Sequence, residues 1–173
     1  MTIRNALISD TDAIFEMYDF AVAFQKTKFH KHWQGFDRNL INTEIAEQRI
    51  FKIIEDEQLA CIFSITFNDV LIWGEKDQND AIYIHRIVSH PDFKGRFYVK
   101  KIINWAKNYC QERNLPFVRM DTWGDNEKLI SYYTECGFDF LGLVTLTKSE
   151  GLPKHYEGAC LSTFEIRVRL IAD

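Results

Sequence analysis

The sequence predicts an α/β fold: a mixed, mostly antiparallel central sheet flanked by helices. Three observations lead there. A short apolar strand is followed by two helical stretches. Two strands separated by an acidic turn then lie within residues 49–67. Finally, a strand, a long amphipathic helix and another strand occupy 82–122, which implies a right-handed crossover and a locally parallel pair. The predicted order is β-α-α-β-β-β-α-β-α-β-β.

The first strand fits 2–8, where Ile3, Ala6 and Ile8 are apolar. Ser9, Asp10, Thr11 and Asp12 supply N-cap candidates for a helix over 13–24. Residues 25–38 break the pattern, mixing basic residues, His30, His32 and large aromatics. They read either as a solvated connection or as a wall of a substrate cleft. A second helix fits 39–48. Strands over 50–54 and 59–67 flank Glu55-Asp56-Glu57-Gln58, which predicts an antiparallel hairpin. Residues 68–80 form a loop containing an amphipathic stub, VLIW. A strand at 82–89 leads to a helix over 98–113, with Val99, Ile102, Ile103, Trp105, Ala106 and Tyr109 inward. A strand at 117–122 precedes a helix over 127–136, and Gly137 sits where a helix-terminating glycine belongs. Strands at 138–147 and 162–170 complete the chain. No repeat or low-complexity linker marks a boundary, so residues 1–173 read as a single domain.

The composition narrows the function. The chain has 173 residues, 46% of them hydrophobic and 27% charged, which suits a globular protein with a sizeable core. No apolar run approaches the ~20 residues of a membrane span. The N-terminus lacks a signal-peptide core, which suggests the cytoplasm. A net charge of −4 argues against nucleic-acid binding through a general basic surface. Cys61, Cys110, Cys136 and Cys160 stand far apart, with no C-x-x-C, and read as small apolar residues. His30 and His32 have no second ligand pair at zinc spacing, so no metal site is expected.

The stretch 81–99, AIYIHRIVSHPDFKGRFYV, carries the sharpest chemistry. A strand running into the start of a long helix presents unpaired backbone N–H groups and a favourable dipole to an anion. Lys94 and Arg96 add positive charge there. Such units also occur for purely architectural reasons.

The order of elements and three motifs together resemble the GNAT superfamily of acyl-CoA-dependent N-acyltransferases over nearly the whole chain. Ile87-Val88-Ser89-His90-Pro91 matches the end of the family's cofactor-contacting strand. Lys94-Gly95-Arg96-Phe97-Tyr98-Val99 matches its phosphate loop, with Phe97 in place of the central glycine and Val99 in place of the last small residue. The strand ending near Asn126 and the pattern Tyr132-Tyr133-Thr134-Glu135-Cys136-Gly137-Phe138 match the rest, with the spacing N-x6-Y-x3-G-F intact.

The resemblance implies a three-layer GNAT-like fold and transfer of an acetyl group from acetyl-CoA to a small-molecule or amino-acid-like primary amine by direct attack. It implies cofactor contacts from Ile87, Val88, Ser89, Lys94, Gly95, Arg96, Phe97, Tyr98, Val99 and Asn126. Asn126 equally suits a helix N-cap. Tyr133 aligns with the acid that protonates the leaving thiolate. Asp121 and His85 are the candidate proton acceptors, each with a plain structural role as the alternative. Arg86 and Arg119 are expected to pair with acidic neighbours across the sheet. Phe97 and Val99 motivate a second reading, a CoA-binding or regulatory protein without catalysis. An exposed final strand would allow a homodimer.

Overall fold

The computed structural model describes residues 1–28, 32–146 and 158–170. Seven strands follow the hydrogen-bonded order β1-β2-β3-β4-β5-β7-β6. They are β1 (Thr2–Asn5), β2 (Ile50–Glu55), β3 (Gln58–Thr66), β4 (Ala81–Ser89), β5 (Phe117–Trp123), β6 (Asp139–Thr145) and β7 (Cys160–Arg167). The helices are α1 (Thr11–Lys28), α2 (Arg38–Ala46), a single turn α3 (Val70–Trp73), α4 (Tyr98–Glu112) and α5 (Glu127–Glu135). The mixed sheet and the element order agree with expectation, apart from the single turn α3, which forms on the VLIW stub of the predicted 68–80 loop. The chain divides into two compact units, Met1–Ile65 with Arg86–Tyr98, and Thr66–His85 with Val99–Asp173.

In the first unit, β2 runs antiparallel to both β1 and β3. The β2–β3 hairpin turns on Asp56 and Glu57, with φ of 50° and 63°, the left-handed pair of a two-residue turn matching strand twist. Ile14, Met17 and Tyr18 of α1 and Ile41 and Ile45 of α2 bury against Ile50, Ile62 and Val88. Helix α1 begins where a short 3-10 turn places the Asp10 carboxylate on the Leu7 N–H at 2.7 Å, and it continues to Lys28. It therefore takes up the start of the irregular stretch predicted from 25. Trp33 and Phe36 from the rest of that stretch pack on Tyr18, with Phe36 at 4.5 Å between centroids. They are core aromatics of this unit.

Arg86 has φ 51° inside β4, a bulge conformation. Its guanidinium pairs with the buried Glu44 of α2, a helix and not a strand, and reaches Ser64 Oγ at 3.0 Å.

In the second unit, β4 and β5 are parallel, and their ladder covers Ala81↔Phe117 to Ile84↔Met120. Strand β7 pairs antiparallel with β5 on one side and β6 on the other. The final strand is thus internal and β6 is the edge, which removes the stated basis for a homodimer through the last strand. Two non-local pairings decide this order, and no local pattern encodes them. Ile102, Ile103, Ala106 and Cys110 are the fully buried stripe of α4. A second apolar cluster joins Ile72 and Trp73 of α3 to Ala81, Tyr83, Leu146 and Leu161. Arg119 is 3% exposed; it meets Glu165, its directly paired residue on β7, at 2.8 Å and Asp80 at 3.1 Å.

Candidate active site

The last paired residues of the parallel ladder are Ile84 and Met120. The next residue on each strand is His85 and Asp121, so register alone brings these two side chains to one face. His85 Nδ1 lies 3.8 Å from Asp121 Oδ1. The other ring nitrogen, Nε2, lies 3.6 Å from Asp69 Oδ2 and 3.2 Å from Thr66 Oγ1. Asp69 comes from the residues just before α3 and was not expected in the site. Its sequence signal was slight: an Asp heading the apolar VLIW stub.

Both carboxylates pay for their burial. The Asp121 side chain is 4% exposed and Asp69 11%. Among the described residues, Asp121 Oδ1 and Asp69 Oδ2 have no hydrogen-bond partner. Desolvation, followed by the neighbouring Asp69, pushes the Asp121 carboxyl up to about 7. Desolvation lifts Asp69 to about 6, with Asp77 adding to the effect. An acid ordinarily ionised by pH 4 is thereby placed near the working range of a proton acceptor. The three side chains offer ligand atoms within 4.8 Å of one another. However, the ring turns a different nitrogen to each carboxylate, an arrangement suited to passing protons more than to gripping one ion.

Tyr133 sits on α5, whose start is fixed by Asn126: its side chain accepts N–H groups from Lys128 at 3.1 Å and Leu129 at 3.3 Å. The capping role expected of Asn126 is therefore present. The Tyr133 ring packs on Phe164 of β7 at 5.3 Å and Phe138 at 6.3 Å. Burial holds its hydroxyl above the ordinary phenol range, and the charges of Tyr132, Cys136 and Asp121 add to this. It stays protonated at neutral pH.

The 94–99 loop is ordered by different contacts. Gly95 has φ 81° and Phe97 φ 56°. Phe97 thus adopts the left-handed conformation of the glycine it replaces in the family pattern. Such alternating backbone gathers N–H groups into an anion-binding concavity. A Cβ built on Gly95 would meet nothing within 4 Å, so the surface above it is open. The Phe97 side chain is 62% exposed. Lys94 Nζ lies 4.3 Å from the Phe24 ring centroid, and Arg96 is 3.6 Å from Glu55. Tyr98 is buried and donates to Glu55 at 2.6 Å. Val99 is buried, so its bulk is turned inward. Val88 lies in the core and offers only its backbone, Ile87 is half-buried, and Ser89 is exposed.

An open groove of about 320 Å³ runs along Ile72, Trp73, Glu75, Lys76, Leu141 and Leu143 and reaches Thr163. Thr163 is the β7 residue paired with Asp121. Residues 148–157, between β6 and β7, lie outside the described residues. Cys61 and Cys110 are buried, with thiols pushed up to about 12 and about 11 by desolvation, and neither is a nucleophile.

A model of the family described as "Acetyltransferase (GNAT) family" matches residues 12–138. The uncharacterized N-acetyltransferase YesJ of Bacillus subtilis (strain 168) is 23% identical over 145 residues, covering 79% of this chain and 81% of its own. A GNAT-family acetyltransferase structure from Listeria monocytogenes 4b F2365 superposes with a TM-score of 0.76 at 23% identity, covering 96% of this chain and 94% of that one. The structure of YncA from Salmonella typhimurium, a putative acetyltransferase with its cofactor acetyl-CoA, gives a TM-score of 0.69 at 14% identity, with 99% and 96% covered.

Proposed function

The chain belongs to the GNAT family of acetyltransferases, and on that premise we propose that it moves the acetyl group of acetyl-CoA directly onto the primary amine of a small, amino-acid-like acceptor. The observation that carries this reading is the pairing of His85 with a buried Asp121 at the end of the β4–β5 ladder. Residues 94–98 would take the CoA pyrophosphate through backbone N–H groups and the charges of Lys94 and Arg96. Ile87, Val88 and Ser89, beyond the last β4–β5 pair, would offer backbone groups to the pantetheine arm and the developing oxyanion.

The chemistry follows from protonation states. An alkyl ammonium has a pKa of about 10.4, so only on the order of 10⁻³ of it is a nucleophile at pH 7. Asp121, held near neutrality, accepts its proton. The free amine then attacks the thioester carbonyl; collapse of the tetrahedral adduct breaks the C–S bond, and the second nitrogen hydrogen ends on the expelled CoA sulfur. Tyr133 donates a hydrogen bond to the leaving sulfur. Once Asp121 is protonated, its charge no longer opposes ionisation of Tyr133, so taking the first proton makes delivery of the second easier. The groove carrying Glu75, Lys76 and Thr163 beside apolar Ile72, Trp73, Leu141 and Leu143 suits an acceptor bearing both charges, as amino acids do.

The test is acetyl-CoA-dependent release of free thiol across a panel of amino acids, their amides and simple alkylamines, beside calorimetric binding of acetyl-CoA. Turnover with an amino-acid-like amine is expected. Tyr133→Phe should lower kcat roughly 10²-fold with acetyl-CoA affinity unchanged. Binding without turnover on any amine would leave a CoA-binding protein without catalysis.

A further inference from the structure

Acetylation of an ammonium has a proton balance that the pair His85–Asp121 does not close. The reactant R–NH3⁺ loses two hydrogens on becoming the amide R–NH–CO–CH3. One ends on the CoA sulfur. The other must leave the site on every turnover, or Asp121 stays protonated.

We infer that Asp69 is the outer member of a proton relay, Asp121–His85–Asp69, and positions the His85 ring to carry that proton away. This rests on the acetyltransferase reading above. The imidazole lies between two carboxylate oxygens, Asp121 Oδ1 on its Nδ1 side and Asp69 Oδ2 on its Nε2 side, at 3.8 and 3.6 Å. These are the same two oxygens that lack a hydrogen-bond partner among the described residues. A buried acceptor left unpaired is costly. A contraction of about half an ångström or more on each side would satisfy both oxygens at once, provided the ring carries a hydrogen on each nitrogen. The geometry is therefore set up to hold the imidazolium that forms while the proton crosses the ring.

The steps balance. The ammonium N–H breaks as an O–H forms on Asp121. That O–H breaks as Nδ1–H forms on His85. The Nε2–H then breaks as an O–H forms on Asp69, which loses its proton to water. The ring is left neutral with its hydrogen on Nδ1; exchange with water, one hydrogen lost from Nδ1 and one gained at Nε2, restores the starting tautomer.

The surroundings favour this direction. Asp69 is the more exposed carboxylate, 11% against 4%. Thr66 Oγ1 also faces Nε2. Beyond Asp69 stands Asp77, whose Oδ2 accepts the Asp69 backbone N–H at 2.7 Å and whose Oδ1 accepts from the Tyr83 hydroxyl at 3.0 Å. Tyr83 in turn accepts from Arg119 at 3.0 Å. Asp77 is thus tied to a cation, while Tyr133 and Asp69 are the groups whose charges meet Asp121.

The test uses the whole chain and two readouts. In ¹⁵N-resolved titration of the His85 imidazole, Asp69→Asn should move the midpoint to lower pH by about one unit, since an opposite charge is lost at close range. Asp69→Glu should restore most of that shift. In turnover, Asp69→Asn should lower kcat about tenfold and displace its pH profile, with the KM for acetyl-CoA unchanged, and Asp69→Glu should again rescue. A His85 midpoint and a kcat–pH profile both unmoved by Asp69→Asn would overturn the relay. If Asp121→Asn still abolished turnover, the acetyltransferase reading would survive that result. Loss of turnover in Asp69→Asn and Asp69→Glu alike, with the midpoint unmoved, would assign Asp69 a merely structural role.

Discussion

Phe97 holds a left-handed backbone at φ 56° where the family pattern places glycine. For a residue with a Cβ this conformation costs roughly 1–2 kcal/mol, and Phe97 recovers little by packing, being 62% exposed. Phe97→Gly relieves that strain but adds unfolded-state entropy worth about 0.5–1 kcal/mol. The expected outcome is a stability equal to or slightly above wild type in urea titration, with acetyl-CoA binding tightened or unchanged. Gly95→Ala is the opposite case. Its φ is 81° with nothing within 4 Å of the new Cβ, so it should lose about 1 kcal/mol to backbone strain alone.

Asp121 makes a prediction with a definite sign. Its folded pKa of about 7 lies above the reference of 3.8, so the folded state binds the proton more tightly. That stabilisation is fully present below pH 3.8 and is lost as pH rises through 7. Asp121→Asn has no charge to bury. It should therefore gain in Tm over wild type above pH 7, and the gain should vanish below pH 4 in pH-resolved thermal melts.

At the scale of elements, the local signals were strong where period and caps agreed. The stripe of α4, the Asn126 cap of α5 and the acidic β2–β3 turn were all legible, because each depends on residues close in sequence. The insertion of β7 between β5 and β6 was not, since it is set by pairings between distant segments. The approach of Asp69 to His85 was hidden for the same reason: a loop residue's neighbours follow from the path of the chain, not from its own pattern. Arg119 shows what such a pairing holds together. It is buried and joins β5 to Glu165 on β7, to Asp80, to the Lys76 carbonyl at 2.7 Å and to Tyr83. Arg119→Ala leaves Glu165 and Asp80 without their cation and should cost about 3–5 kcal/mol, read as a lowered urea midpoint. Arg119→Lys keeps the charge but cannot reach all four partners from one ammonium, and should recover only part of the loss.

At the scale of the molecule, composition and local chemistry point in opposite directions. The net charge of −4 should repel an anionic nucleotide, yet the family's donor carries a pyrophosphate. The whole-chain charge acts at long range and is screened beyond about 10 Å at 0.1 M salt, whereas Lys94 and Arg96 would act at contact. Arg96 is partly balanced by Glu55 at 3.6 Å. Lys94 instead rests over the Phe24 ring, at 4.3 Å from its centroid. Lys94 should therefore carry more of the attraction. Raising salt from about 0.05 to about 0.5 M should weaken acetyl-CoA binding several-fold in calorimetric titration, the direction set by local contacts. Lys94→Ala should weaken binding at low salt and flatten that dependence more than Arg96→Ala does. Binding that strengthens with salt would mean that the net charge governs the encounter and that the 94–98 loop is not where the pyrophosphate is held.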